Sequence, residues 1–250
     1  MKAMILAAGL GTRLKPLTDT RPKALVEING VPILELTISY LKKEGIDNIT
    51  INVHHFSNQI IEFLANKDFG VNFMLSDESE SLLDTGGGIV KAYQLNFGND
   101  KAPLLVHNVD IISNADIQKL HKAHFEGEAD VTLLISERTS TRKLIFDEKN
   151  ILKGWHRLSD NKFIPEHIRD NDGFKEFAFS GIYIINNSAV EEMKKLHGTG
   201  KYSIMDYFLN PERKKIIKGY VQENLELIDI GKPAGLSQAS EYILRNNHSY

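Results

Sequence analysis

The sequence predicts an α/β fold: a mostly parallel sheet flanked by helices and carrying a small inserted β region. Three observations lead there. Strand-like and helix-like segments alternate through the first half, a glycine-containing loop follows the first strand directly, and the second half breaks into short extended runs separated by polar turns. A βαβα rhythm of this kind builds a parallel sheet with helices on both faces.

The elements follow in order. Residues 2–7 form a short apolar run with no polar alternation, as expected of a strand buried on both faces. Leu34, Ile38, Leu41 and Gly45 keep helical spacing. Ile49 to Val53 reads as a strand, 57–65 as a helix and 71–75 as a strand. Thr85 to Leu95 reads as a helix entered through three glycines, and Leu104 to Val106 as a buried strand. Ile117, Leu120 and His124 share a helix face, and Val131 to Ile135 is again extended. Strand candidates then fill 142–185, with Ile182 to Ile185 the strongest. Helices are expected at 188–196 and 203–209, extended chain at 214–230, and a closing helix from Pro233 to Arg245. No repeat or linker interrupts the chain. One domain over 1–250 is expected, in two halves, 1–136 and 137–250.

Composition narrows the function. The 250 residues carry 30 basic and 33 acidic side chains, a net charge of −3, which disfavours a globally basic nucleic-acid binder. There is no cysteine, which excludes disulfides, thiolate nucleophiles, cysteine zinc sites and iron–sulfur clusters. No apolar run reaches the roughly 18 residues a membrane helix needs. The apolar start meets Gly9, Gly11 and Arg13 too soon for a secretory signal. The expected location is the cytoplasm, with neither membrane nor nucleic acid as partner. The nine histidines cluster only as His54-His55 and as His121 with His124, too few ligands at either place for zinc.

The segment Leu6-Ala-Ala-Gly-Leu-Gly-Thr-Arg-Leu-Lys-Pro-Leu17 carries the chemistry. Ligands bind beyond the carboxyl ends of parallel strands, and glycines there let backbone N–H groups approach phosphate. Five basic against two acidic residues give positions 1–30 a charge of +3 inside a chain of −3. A P-loop would need Gly-Lys-Ser/Thr, which is absent. A dinucleotide loop would need a small residue at Leu14 and an acid where His54 and His55 stand. A surface turn with solvated charges is the remaining reading of the loop by itself.

This segment, with Pro22-Lys23-Ala24-Leu25-Val26, resembles the signature of the sugar-1-phosphate nucleotidylyltransferases. Thr85-Gly86-Gly87-Gly88, Asn108-Val109-Asp110, Phe179-Ser180-Gly181-Ile182-Tyr183 and Asp229-Ile230-Gly231 follow in the family's order. The pattern looks most like compact members that uridylylate N-acetylmuramate 1-phosphate, with mannose- or heptose-phosphate guanylyltransferases close behind. The resemblance implies a Rossmann-like nucleotide-diphospho-sugar transferase fold, with 1–136 as its nucleotide-binding half and 137–250 as its sugar-phosphate-binding half. It also implies transfer of a nucleotidyl group from an NTP, UTP favoured, to a sugar 1-phosphate with release of pyrophosphate, and Mg²⁺ as cofactor. It assigns Arg13 to the leaving pyrophosphate and Lys23 to the reacting phosphates. Leu6, Ala8, Gly9, Gly11, Thr12, Gly86, Gly87 and Asn108 fall to the nucleotide, Ser180 and Gly181 to the sugar, and Asp110 and Asp229 to the metal.

Lys15 and Arg21 are expected to contribute mainly field. Val109 and Ile228 depart from the Gly and Trp common before the two aspartates. The Glu-Lys-Pro motif of larger relatives, whose lysine binds the sugar phosphate, is absent, leaving Arg157 or Lys175 as substitutes. Trp155 is a candidate sugar platform. A base-reading acceptor within Asp77 to Ser81 is not assignable. A non-catalytic nucleotide-sugar sensor on the same fold and a Rossmann oxidoreductase are the competing functions.

Overall fold

The computed structural model describes residues 1–96, 102–169 and 173–246. In chain order the elements are β1 (Lys2–Leu6), β2 (Glu27–Ile28), β3 (Val31–Pro32), α1 (Ile33–Lys43), β4 (Asn48–Val53), α2 (Ser57–Ala65), β5 (Asn72–Asp77), α3 (Asp84–Asn96), β6 (Leu104–Asn108), β7 (Ile111–Ser113) and α4 (Ile117–Glu126). There follow β8 (Val131–Ser136), β9 (Arg142–Phe146), β10 (Leu152–Arg157), β11 (Lys162–Ile164), β12 (Lys175–Ile185), α5 (Asn187–His197), α6 (Ile204–Phe208), β13 (Ile217–Val221), β14 (Leu227–Asp229) and α7 (Pro233–Arg245).

The central sheet runs β11-β10-β9-β12-β6-β1-β4-β5, with β8 beside β12 and β13 beside β8. Strands β5, β4, β1 and β6 are mutually parallel. The chain leaves β1 to build β4 and β5 on one side and β6 on the other, so the strand order reverses at β1. A crevice opens at such a switch point, beyond the carboxyl ends of the strands. Strand β12 runs antiparallel beside β6, and β9, β10 and β11 extend the sheet antiparallel from it as the inserted β region.

Both faces of the sheet are covered. Along β1, Ala3 and Ile5 join one core with Leu34, Ile38 and Leu41 of α1 and with Ile117, Leu120 and Ile243. Met4 and Leu6 join the other with Ile89 and Val90 of α3, Met193 of α5 and Phe208 of α6. Alternate residues of a strand point to opposite faces, so burial on both sides makes a continuous apolar run. No helix among the described residues is long and apolar enough to cross a membrane.

The elements that the sequence reading places agree within a residue or two, with two differences of substance, and the short strands β2, β3 and β7 are additional to it. Gly45 stands beyond the end of α1 at φ 82°, so it stops the helix instead of extending its face. The extended stretch 214–230 divides: β13 joins the central sheet beside β8, whereas β14 pairs antiparallel with β7.

Candidate active site

The glycine loop leaves β1 and is held from below. The Ala7 N–H donates to Asn52 Oδ1 at 2.7 Å, and Asn52 Nδ2 donates to Glu78 Oε1 at 2.8 Å. The other Glu78 oxygen accepts from the Leu83 N–H at 3.0 Å. Burial pushes the Glu78 carboxyl up, while the Leu83 and Asn52 donors pull it back. A satisfied buried network of this kind fixes geometry, because each lost partner leaves a desolvated polar group. It ties the loop to the entry of α3.

Gly11 stands at φ 66°, a conformation that suits glycine. A Cβ there would lie 2.9 Å from Thr18 Cγ2 and 3.0 Å from Lys23 Cβ. Its carbonyl accepts from Thr18 Oγ1 and from the Leu14 N–H, both at 2.9 Å. Leu14, where a dinucleotide loop wants a small residue, is 1% exposed and anchors the turn Thr12–Leu14 in the core.

A cavity of about 400 Å³ lies over this loop. Leu6, Ala8, Gly9, Gly11, Thr12, Arg13 and Lys23 line it, together with Asn108, Asp110 and Gly231. Lys23 is 8% exposed and forms an ion pair with Asp110. Pairing of β14 with β7 sets Asp229 opposite Ile111, and the Ile230 N–H donates to the Asp110 carbonyl at 3.0 Å. The two aspartates, far apart in sequence, therefore meet. The point where a Cβ on Gly231 would stand lies 2.8 Å from Asp229 Oδ1, 3.2 Å from Asp110 Oδ2 and 2.6 Å from Arg13 Nη2. Among the described residues no group of three or more His, Asp or Glu side chains converges. The donor set is thus two hard carboxylates flanked by Arg13 and Lys23 and facing the cavity, which fits a cation that takes few protein ligands and completes its shell with phosphate and water.

A second cavity, of about 560 Å³, opens on the other side of these residues. Arg13, Asn108 and Asp110 line both cavities. Ser180, Gly181 and Asp229 line the second, as does Trp155. Strand β12 shifts register between Phe179 and Tyr183, and Ser180 Oγ accepts from the Ile182 N–H at 3.1 Å within that bulge. Gly181 stands at φ 79°, where a Cβ would lie 2.7 Å from Asn108 Nδ2. Bulges commonly re-aim a strand beside a site, and this one brings 180–181 against the end of β6.

Two expectations need correction. Gly86 and Gly87 were expected to offer N–H groups to a base or ribose. Both instead donate to the Tyr202 carbonyl, at 2.9 and 3.3 Å. A Cβ on Gly86 would collide with the Tyr202 ring, and one on Gly87 with the Gly200 carbonyl. These glycines let the start of α3 pack on the segment before α6, while Asp84 and Thr85 line the cavity. Arg157 and Lys175 line neither cavity. Arg157 is held by Asp160, donating from Nε at 2.7 Å and also from Nη2, and Lys175 is exposed at the start of β12. The basic residues that do line the second cavity, besides Arg13, are Arg138, Arg142 and Lys143, which sequence reasoning missed. The run of basic residues at 138–143 was the available signal.

The family model described as "Nucleotidyl transferase" matches residues 2–144. An N-acetylmuramate alpha-1-phosphate uridylyltransferase of Caulobacter vibrioides is 34% identical, over 56% of this chain and 59% of that protein. One of Neisseria meningitidis is 42% identical, over 46% of this chain and 49% of that protein. The chain thus matches about half the length of these two relatives. A D-glycero-alpha-D-manno-heptose 1-phosphate guanylyltransferase of Aneurinibacillus thermoaerophilus is 28% identical, over 96% of this chain and 97% of that protein. In fold, the chain is similar to the crystal structure of HddC from Yersinia pseudotuberculosis complexed with GMP-PN, with a TM-score of 0.76 and 24% identity over 97% and 99% of the two chains. The family-model match over more than half of its residues places the chain in the nucleotidyl transferase family.

Proposed function

We propose that the protein transfers a nucleotidyl group from an NTP to a sugar 1-phosphate, releasing pyrophosphate. One observation carries this reading: two cavities meet at Arg13, Asn108 and Asp110. A triphosphate in the first and a phosphate monoester in the second would face each other across those residues. Such an acceptor needs no protein base, since a phosphate monoester loses its second proton near pH ~6. The sugar phosphate oxygen attacks the α-phosphorus, the bond to the bridging oxygen breaks, and pyrophosphate leaves with the electron pair. The protein's work is positioning and charge neutralisation. The planar Arg13 fork suits two oxygens of the departing pyrophosphate. Lys23, which lines the first cavity and pairs with Asp110, would take phosphate oxygens there. Ser180 and Gly181 shape the acceptor side.

Asp110 and Asp229 would hold Mg²⁺. Bound there, it would supply positive charge to offset that of the phosphates. The metal proposal rests on the two carboxylates converging on one point beside Arg13.

UTP is the proposed donor, supported by the higher identity to two uridylyltransferases. The end-to-end likeness to a guanylyltransferase favours GTP as a second reading. Pyrophosphate release, measured with four triphosphates crossed against mannose, glucose, heptose and N-acetylmuramate 1-phosphates in Mg²⁺, tests both. Turnover confined to one triphosphate is expected. Silence across the panel would overturn the transferase reading.

A further inference from the structure

The second cavity holds a cation that the reaction as described does not use. Arg138 lies in the turn between β8 and β9 and lines this cavity with Lys143 and Trp155. Its Nη2 donates to the Phe179 carbonyl at 2.9 Å, which fixes the guanidinium against the β12 bulge. Its Nε is buried, and no acceptor among the described residues meets it. Lys143 Nζ donates to the Arg138 carbonyl at 2.7 Å, so a second ammonium stands against the same turn. Burial works against both positive charges, and across the cleft Asp229 supports that of Arg138.

A buried guanidinium with an unfilled donor is costly unless something fills it, since desolvated charged donors require partners. The cavity beside it is where the partner would come. An arginine and a lysine together favour an anion, and the planar fork favours a tetrahedral oxyanion such as a phosphate monoester. Arg157 lines neither cavity and is turned to Asp160.

We propose that Arg138, supported by Lys143, is the receptor for the phosphate of the acceptor substrate. This deepens the transferase reading and rests on it for the identity of the acceptor. Trp155 gives a test that needs no turnover. It is the chain's single tryptophan and lines the same cavity. Its emission is followed while nucleotide-free full-length protein is titrated with inorganic phosphate and with α-mannose 1-phosphate. Saturable changes are expected with both. In Arg138→Met the dissociation constant should rise about 10- to 100-fold, the worth of a charge-assisted contact. In Lys175→Met, outside the cavity, it should stay within twofold of wild type. Arg138→Lys keeps the charge and loses the fork, so a three- to tenfold rise is expected, and this variant carries the test if Arg138→Met does not fold. Wild-type affinity in the folded Arg138 variants, or no emission change in the wild type, overturns the proposal. A silent pyrophosphate assay beside a normal titration would instead reject the transferase reading and leave the anion receptor standing.

Discussion

Gly231→Ala separates the site from the fold. Gly231 follows β14 and donates its N–H to Asp229 Oδ1 at 2.8 Å. Its φ lies outside the left-handed region, so alanine suits the backbone. The added methyl would stand 2.6 Å from Arg13 Nη2, 2.8 Å from Asp229 Oδ1 and 3.2 Å from Asp110 Oδ2. Ordinary carbon contacts need roughly 3.5 Å or more, so all three groups must retreat, Arg13 by close to 1 Å. Each is the end of a side chain and not backbone, so the fold need not move, although the Asp110–Lys23 pair and the Gly231 bond to Asp229 must adjust. We expect a loss of stability within about 1 kcal/mol, hence a melting shift below about 4 °C. Catalysis is less forgiving, because a displacement of about 1 Å from reacting geometry costs on the order of 10²-fold in rate. Pyrophosphate release at saturating substrates should fall about 100-fold while circular dichroism melts stay near wild type. Turnover within threefold of wild type would refute the placement of these three groups at the reacting centre. A melting temperature lower by 10 °C or more would refute the claim that only yielding side-chain ends surround the methyl.

Further outcomes follow from neighbouring residues. Arg13→Ala and Asp110→Ala should each lower turnover by about 10²- to 10³-fold, as removal of a preorganised charge does; near-normal rates would remove that residue from the mechanism. Glu78→Gln replaces one of two acceptors by a donor facing either Asn52 Nδ2 or the Leu83 N–H. Asn52 cannot flip to relieve this, since its Oδ1 already accepts from Ala7. A loss of about 1–3 kcal/mol is expected in urea denaturation. His107 is fully buried, and desolvation lowers its pKa to about 4 from 6.5. Its neutral form therefore stabilises the fold above pH 6.5, and that contribution drains as pH falls towards 4, by about 1.4 kcal/mol per unit. In His107→Leu the decline between pH 6.5 and 5 should be shallower by that slope; urea midpoints at pH 7, 6 and 5 decide it.

What the sequence carried and what it hid divide along a physical line. Local signals were legible. The unbroken apolar run of β1 announced a strand buried on two faces, and the Leu34/Ile38/Leu41 spacing announced α1. Phosphate-loop features were legible too, because Gly11 is required by its own φ and Thr12–Leu14 by its own turn. Hydrogen bonds across the fold were not. Asn52 and Glu78 carry no motif of their own, yet they seat the glycine loop. Gly86 and Gly87 look in sequence like open N–H donors, and only the return of Tyr202 onto α3 shows those donors occupied. Arg138 stood among several interchangeable cations until the β12 bulge and the Asp160 pairing of Arg157 told them apart.

The same structure accounts for two carboxylates standing where two polyanions are proposed to meet. Aspartates in a phosphate site repel the substrate unless their charge is met. Lys23 meets part of it, through its pair with Asp110. Asp229 has no such lysine; its Oδ1 accepts only from the Gly231 N–H among the bonds described, a neutral donor. Over the two cavities, Arg13, Lys23, Arg138, Arg142 and Lys143 stand against Asp84, Asp110 and Asp229, a surplus of two positive charges. A triphosphate and a phosphate monoester bring several negative charges to that point. Two surplus cations do not offset them at an effective interior dielectric well below that of water. With a divalent cation held there, as proposed, the balance would change by two units and the aspartates would serve as ligands instead of repelling phosphate. The β7–β14 pairing, which joins residues near 110 and 229, makes chemical sense in that light. Its consequence is a carboxylate pair that suits a cation and opposes phosphate without one, and this ties the metal proposal to the transferase reading.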